Sequence, residues 1–241
     1  MHITICKNES QFDSTAAWRI IGQVLTKPDS VIGLSTGRTT KNMHMLVGNL
    51  WQQMPFNIAK VTFFGVDEVV NVPRNYKGAC YQMLHDELID LLGLNDSQLL
   101  MLPTQSDDFK KACSQFKDLL EERGGIDLLM LGLGENGHLG FNQPGTPFES
   151  EVRVTAMNAE LEERIRQETQ TPADVWLGGV TLGVKDIMHA HRIVLVAKGK
   201  NKATIVKQML QGPVTTEVPA SILQLHPNCE FLLDEEAAVE L

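Results

Sequence analysis

The chain of 241 residues has few cysteines, no excess of basic side chains and no long apolar run, and each shortage removes a class of function. Its four cysteines, Cys6, Cys80, Cys113 and Cys229, are far apart and show neither metal-type nor redox-type pairing. They read as reduced, small hydrophobic side chains, and a cytoplasmic location is the expectation that goes with them. Against 30 Asp and Glu there are only 21 Lys and Arg, a formal net charge of −9. That balance argues against nucleic acid as a partner, because binding a phosphate backbone needs clustered cations to displace counterions. The apolar runs fall short of the roughly 20 residues of a membrane span, and Met1-His-Ile-Thr-Ile-Cys-Lys7 lacks the apolar centre of a signal peptide, so no membrane partner is expected. Linker composition, low-complexity segments and internal repeats are missing too. One domain over residues 1–241 is the expectation, and a hydrophobic fraction of 43% is ample for its core.

What is present is an alternation of apolar runs and amphipathic stretches. Residues 10–27 carry Phe12, Ala16, Ala17, Ile20, Ile21, Val24 and Leu25 at helical spacing and stop at Pro28. Strands are predicted at residues 30–35, 61–66, 99–102, 126–131, 152–155, 179–184 and 192–197, with helices at 78–92, 107–122, 159–167 and 203–210 and one following residue 41. Strands alternating with helices imply an α/β fold, a doubly wound, mainly parallel sheet with helices on both faces.

The stretch around which the chain is organised follows the apolar run Ile126 to Leu131. It reads Leu131-Gly-Leu-Gly-Glu-Asn-Gly-His-Leu-Gly-Phe-Asn-Gln-Pro144. Its glycines and proline deny it a helix, let the backbone approach a ligand closely, and place an imidazole, His138, where it can move protons near neutral pH. A glycine-rich turn with one polar histidine has the same composition. Gly132-Leu-Gly-Glu-Asn-Gly137 formally matches the dinucleotide fingerprint, but that motif must open a helix, and Gly140 and Pro144 interrupt one at once. A nicotinamide cofactor is therefore not expected.

Three other places carry chemistry. The strand at 30–35 runs into Thr36-Gly-Arg-Thr-Thr-Lys41 and a helix, a strand–glycine–helix order that suits an anion, with Arg38 and Lys41 adding charge. An N-cap by Thr39 or Thr40 would explain the same residues. It is not a Walker loop, so no nucleotide is implied. The strand at 61–66 ends in Asp67-Glu68, two acids at a strand's carboxyl end, suited either to proton chemistry or to capping and pairing with Arg74. Lys198-Gly-Lys-Asn-Lys202 repeats the strand, glycine, cation, helix order, as a second hand on a phosphate or as a plain basic turn. His189 and His191 are too close in sequence to share a helical face and read as surface residues.

Taken in order, Gly33-Leu-Ser-Thr-Gly-Arg-Thr39, Phe63-Phe-Gly-Val-Asp-Glu68, the 131–144 loop, Lys198-Gly-Lys-Asn-Lys-Ala203 and Val218-Pro-Ala-Ser-Ile-Leu-Gln-Leu-His-Pro227 resemble the glucosamine-6-phosphate deaminase family. That family includes galactosamine-6-phosphate isomerases and is related to 6-phosphogluconolactonases. The resemblance covers nearly the whole chain. It implies an enzyme of carbohydrate metabolism without a metal or other cofactor, which converts a hexosamine 6-phosphate to a ketose 6-phosphate and ammonia. Asp67 would move a proton between C2 and C1, and His138, with Asn136 and Gln143 beside it, would assist ring opening. The phosphate would lie against Thr36, Gly37, Arg38, Thr39, Lys202 and an arginine of the polar helix, Arg166 or Arg164. Ser35, Glu68, Gly134 and Gly137 would be further substrate contacts. Glucosamine-6-phosphate deaminases have carboxylates where this chain has Asn136 and Gln143. The galactosamine-6-phosphate branch shares the asparagine and the Thr181-Leu-Gly-Val-Lys-Asp186 pattern, and is the branch the resemblance favours. Gln143 fits neither branch, and Glu135 and Glu149 are the carboxylates that would stand in. A lactonase and a catalytically silent sugar-phosphate binder are the alternatives. Allosteric control is not expected, because the sequence after Leu233 does not match the longer C-terminal extension of the hexameric, allosteric members, and a homo-oligomer is left open.

Overall fold

A computed structural model describes residues 2–73 and 75–241; Arg74, the candidate partner for the acids at 67 and 68, lies outside them. The chain opens with β1 (His2–Cys6) and α1 (Glu9–Thr26). The Asn8 side chain caps α1 by accepting from the Gln11 N–H, and the helix ends just before Pro28, which cannot continue it. β2 (Val31–Leu34) leads to α2 (Lys41–Gln53), and β3 (Thr62–Gly65) leads into β4 (Asp67–Val70). Next, α3 (Cys80–Leu84) passes through one π-helical turn (His85–Ile89) into α4 (Asp90–Leu92), and β5 (Leu99–Leu100) follows. The middle of the chain holds α5 (Phe109–Glu122), β6 (Leu128–Gly132), β7 (Arg153–Thr155) and α6 (Ala159–Thr169). The last elements are β8 (Gly178–Thr181), α7 (Val184–Met188), β9 (Ile193–Ala197), α8 (Ala203–Gln211) and β10 (Cys229–Asp234).

Seven strands form one parallel sheet in the order β1-β10-β9-β6-β2-β3-β5. Helices cover both faces, and the continuous apolar runs of the strands explain why. Successive side chains on a strand point to opposite faces, so a strand buried on both sides has no polar alternation. In β6, Leu128 and Met130 join a core with Phe12, Ile20, Met43 and Val47 of α1 and α2. Leu129 and Leu131 join the opposite core with Phe116 and Leu120 of α5, Ile187 of α7 and Val206 and Met209 of α8. This is the doubly wound arrangement expected from the sequence.

The strand order reverses between β2 and β6. From β2 the chain moves outward to β3 and β5, then returns to the other side of β2. The loops leaving the carboxyl ends of these two strands diverge there and leave a crevice.

Three features depart from the sequence reading. Asp67 and Glu68 do not end a strand: after Val66 the chain enters β4, which pairs antiparallel with β8, and β8 pairs antiparallel with β7. Val66 is the transfer point, donating its N–H to Leu34 O in one sheet and accepting from Leu182 N–H beside the other. The strand expected at 179–184 is thus shorter, antiparallel and outside the main sheet. Val184 instead starts α7, where Asp186 accepts the Gly183 N–H. β10, not anticipated, inserts between β1 and β9.

Candidate active site

The crevice is a cavity of about 540 Å³ lined by residues from five separate stretches of chain, four of which carry its charged and titratable groups. The first is the turn after β2. Ser35 is pinned by its N–H to Met130 O, and Gly37 takes φ +127, a conformation that side-chain-bearing residues rarely adopt. The Gly37 carbonyl accepts from the N–H groups of Thr40 and Lys41 and from the Thr40 hydroxyl. Thr40 is the N-cap of α2, yet its side chain accepts nothing from the helix, so the capping explanation does not account for this turn. Among the described residues, the N–H groups of Thr36, Gly37, Arg38 and Thr39 have no protein acceptor. These donors, the positive end of the helix dipole and the exposed Arg38 all favour an anion.

The second stretch is the loop after β6, where the imidazole of His138 lies against the backbone of Gly134. A Cβ at position 134 would stand 2.2 Å from His138 Nδ1, so only glycine leaves room for the ring. Asn136 Oδ1 lies 2.6 Å from His138 Nδ1 and also accepts the His138 backbone N–H at 3.2 Å, which fixes which way the amide points. Its Nδ2 donates to Gln143 Oε1 at 3.1 Å. An amide oxygen only accepts, so Nδ1 carries the proton and Nε2 keeps its lone pair. Burial first, and then the nearby Lys202 charge, lower the pKa of His138, with Glu135 opposing. The ring is held as a neutral base.

Asp67 is the third contribution. Burial pushes its carboxyl up to about 6, partly offset by hydrogen bonds from the Cys80 thiol and its own backbone. A carboxylate with that proton affinity can both take and return a proton near neutral pH.

The fourth is Lys202, at the junction of a short 3-10 turn and α8. Asp234, at the end of β10, accepts the Gly199 N–H at 3.0 Å and so sets the turn that aims the lysine. Burial lowers the Lys202 pKa, with Glu135 raising it and Arg38 lowering it, which puts both cations and this acid in one electrostatic neighbourhood. Glu135 is held by Asn201 Nδ2 at 2.7 Å. Among the described residues no group of three His, Cys, Asp or Glu side chains is placed to hold a metal ion.

The chain over residues 15–231 matches the model of the family described as glucosamine-6-phosphate isomerases/6-phosphogluconolactonase. It belongs to this family. A glucosamine-6-phosphate deaminase of Clostridium botulinum (strain Kyoto / Type A2) is 32% identical over 241 residues, covering 100% of this chain and 99% of the relative. Its counterpart in Clostridium novyi (strain NT) is 31% identical, with 100% of both chains covered. Among solved structures, a monomeric glucosamine-6-phosphate deaminase of the NagB superfamily superposes with a TM-score of 0.91 at 28% identity and full coverage of both chains. The 6-phosphogluconolactonase of Trypanosoma brucei superposes at 0.80 with 20% identity, covering 100% of this chain and 98% of that one, a likeness of fold alone.

In this family member, Ser35, Thr36, Gly37, Arg38, Thr39, Asp67, Gly134, Asn136, His138, Gln143 and Lys202 come together around one cavity. Other expected residues, Lys41 among them, do not reach its lining. Glu68 is buried and spent on structure, its carboxylate accepting the N–H groups of Val69, Cys80 and Tyr81 and so capping α3. Arg166 is turned into its own segment, bonded to Glu162 at 2.8 Å and to the carbonyls of Pro172 and Val175, while Arg164 is exposed. Gly137 takes φ +82 and packs on Val218. Glu149 is also absent from the lining, whereas Glu135 is part of it. Thr40 and Asn158 line the cavity in addition to the residues expected there. Asn158 precedes the polar helix and caps it through Leu161 N–H.

Proposed function

We propose that the chain is a hexosamine 6-phosphate deaminase/isomerase, which releases ammonia from a 2-amino-2-deoxyhexose 6-phosphate and leaves the ketose 6-phosphate. The observation that carries this reading is Asp67, a carboxylate with a pKa of about 6 on the same cavity as a neutral imidazole and an open set of anion donors. The phosphate lies on the N–H groups of residues 36–39 with Arg38 and Lys202. With the phosphate end fixed, the sugar ring spans toward His138, whose Nε2 takes the proton of the anomeric hydroxyl and hands it to the ring oxygen as the C1–O5 bond breaks and the ring opens. Asp67 then removes the C2 proton. The electron pair forms the C1–C2 double bond while the C1 carbonyl pair moves onto O1, which takes a proton from the C2 ammonium, and the same Asp67 carboxyl returns its proton to C1 as the nitrogen lone pair closes the C2 imine. The imine left at C2 is hydrolysed by water to the ketone and ammonia. Asn136 holds the imidazole in the tautomer this sequence requires, without adding a charge to it. Of the two epimers, Asn136 and the Thr181–Asp186 pattern favour the galacto sugar, while the relatives carry the name of the gluco sugar. All four thiols are free, which fits the reducing cytoplasmic setting read from the sequence.

The test is ammonia release from galactosamine 6-phosphate and glucosamine 6-phosphate, run side by side on wild type and Asp67→Asn. Release by the wild type and none by the variant is expected, with unaltered binding of the product ketose phosphate. Release from the gluco sugar alone would overturn the epimer assignment. Hydrolysis of 6-phosphogluconolactone with no ammonia from either sugar would overturn the reaction, and tight binding without turnover would make the protein a silent binder.

A further inference from the structure

Cys80 stands apart from the other cysteines. Cys6, Cys113 and Cys229 are buried among apolar side chains, whereas Cys80, the first residue of α3, sits between the anion turn and Asp67. Its backbone is clamped, because its N–H donates to Glu68 Oε1 at 2.9 Å, and the same carboxylate takes the N–H of Tyr81. The thiol is thereby held in one position. The Thr36 hydroxyl donates to Cys80 Sγ at 3.0 Å, and the Cys80 thiol donates to Asp67 Oδ1 at 3.5 Å. The three side chains form a directed relay from the turn that faces the anion to the carboxylate that faces the substrate carbon.

The direction of that relay is set by charge. Burial, and then the negative charges of Asp67 and Glu68, push the Cys80 thiol well above the ordinary range. The group facing it from the turn after β2 is the neutral Thr36 hydroxyl, whose bond to the sulfur only partly opposes this rise. A thiol in such surroundings is neither a nucleophile nor a redox sensor, since both need the thiolate. It stays protonated and remains a donor.

We propose that Cys80 is a positioning residue, whose thiol holds the Asp67 carboxylate in its reactive orientation while the Thr36 hydroxyl aims that thiol. This rests on the reading of Asp67 as the base. A thiol is a weaker donor than a hydroxyl, so it can orient a carboxylate while leaving it basic enough to take a proton from carbon. Through Thr36, the same bond ties the anion turn to the base, so that the two parts of the site keep their relative placement.

The experiment measures kcat, KM and the pH profile of ammonia release for Cys80→Ala and Cys80→Ser beside wild type and Asp67→Asn. Cys80→Ala removes the donor. Its kcat should fall about tenfold with KM little changed, and the acid limb of kcat/KM should rise by roughly half a pH unit, the worth of one weak hydrogen bond. Cys80→Ser restores a donor, so kcat should recover and the acid limb should lie at or below that of wild type. A limb in Cys80→Ser as high as in Cys80→Ala would overturn the proposal, and so would an unshifted limb in Cys80→Ala, whatever its kcat. If Cys80→Ala does not fold, the limb of Cys80→Ser decides alone, and a limb above wild type overturns it. Turnover by Asp67→Asn would instead defeat the reading of Asp67 as the base.

Discussion

Asn136 Oδ1 lies 2.6 Å from His138 Nδ1, and the same oxygen takes the backbone N–H of His138. The contact orients the imidazole and fixes its tautomer, but being neutral it does nothing to stabilise the imidazolium. Replacing Asn136 by aspartate keeps the geometry and adds that missing charge. An opposite charge at hydrogen-bond distance raises the pKa of a histidine by about one unit or more. For Asn136→Asp the prediction is therefore that His138, depressed in the wild type by burial and by Lys202, titrates at least about one unit higher. An NMR titration of the His138 ring proton reads this directly, and an unmoved midpoint would contradict both the Nδ1-protonated tautomer and the pairing of His138 with residue 136.

Gly134 gives a test of positioning rather than charge. A Cβ there would meet His138 Nδ1 at 2.2 Å, Cε1 at 2.3 Å and Cγ at 2.4 Å, so the ring itself has to leave. Gly134 does not carry a positive φ, so alanine introduces no backbone strain. The expected outcome for Gly134→Ala is a kcat lower by about 100-fold, the cost of misplacing a reacting group by an ångström, with a melting temperature close to wild type. A wild-type kcat would show that His138 is not needed at this place.

Much of this site was legible because its chemistry is local. The turn at 36–40 and the loop at 131–144 announce themselves by glycine, hydroxyl and histidine within a few residues, and the strand before each is apolar on both faces. What stayed hidden depends on distant pairing. Nothing between Val66 and Asp67 breaks a strand, and Val69 and Val70 are good strand formers, yet only β8, over a hundred residues later, decides that the chain changes sheets there. The role of Glu68 is equally nonlocal, since the N–H groups it accepts belong partly to α3. Arg166 is different, because its partner was visible. Glu162 precedes it at the i, i+4 spacing that pairs on a helix, and the structure uses that pair rather than the cavity. Cys80 had no sequence signal at all, since a lone cysteine in the first turn of a helix reads the same whether it packs or donates.

Stability at low pH turns on Glu230, at the meeting point of four elements. Its carboxylate takes the Thr4 hydroxyl of β1, both Arg19 Nε and Nη2 of α1 at 2.8 Å, and Arg192 Nη2, just before β9, at 3.2 Å. Burial acts to raise its pKa, but the hydrogen bonds from Arg19 and Thr4, the Arg19 charge and the bond from Arg192 outweigh it and hold the carboxyl down at about 2, against 4.5 for an ordinary glutamate. A folded pKa below the unfolded one means that the unfolded chain binds the proton more readily. The stabilisation is then fully present above pH 4.5 and drains away as the pH falls toward about 2. Its size is on the order of 3 kcal/mol, from about 1.4 kcal/mol per pKa unit. Glu230→Gln keeps the shape but leaves two arginines without their charge, so at pH 7 it should unfold about 2–3 kcal/mol more easily. In urea melts across the acid range the gap between variant and wild type should close as wild type loses this contribution. A gap that stayed constant down to pH 2 would show that Glu230 packs the junction without holding it by charge.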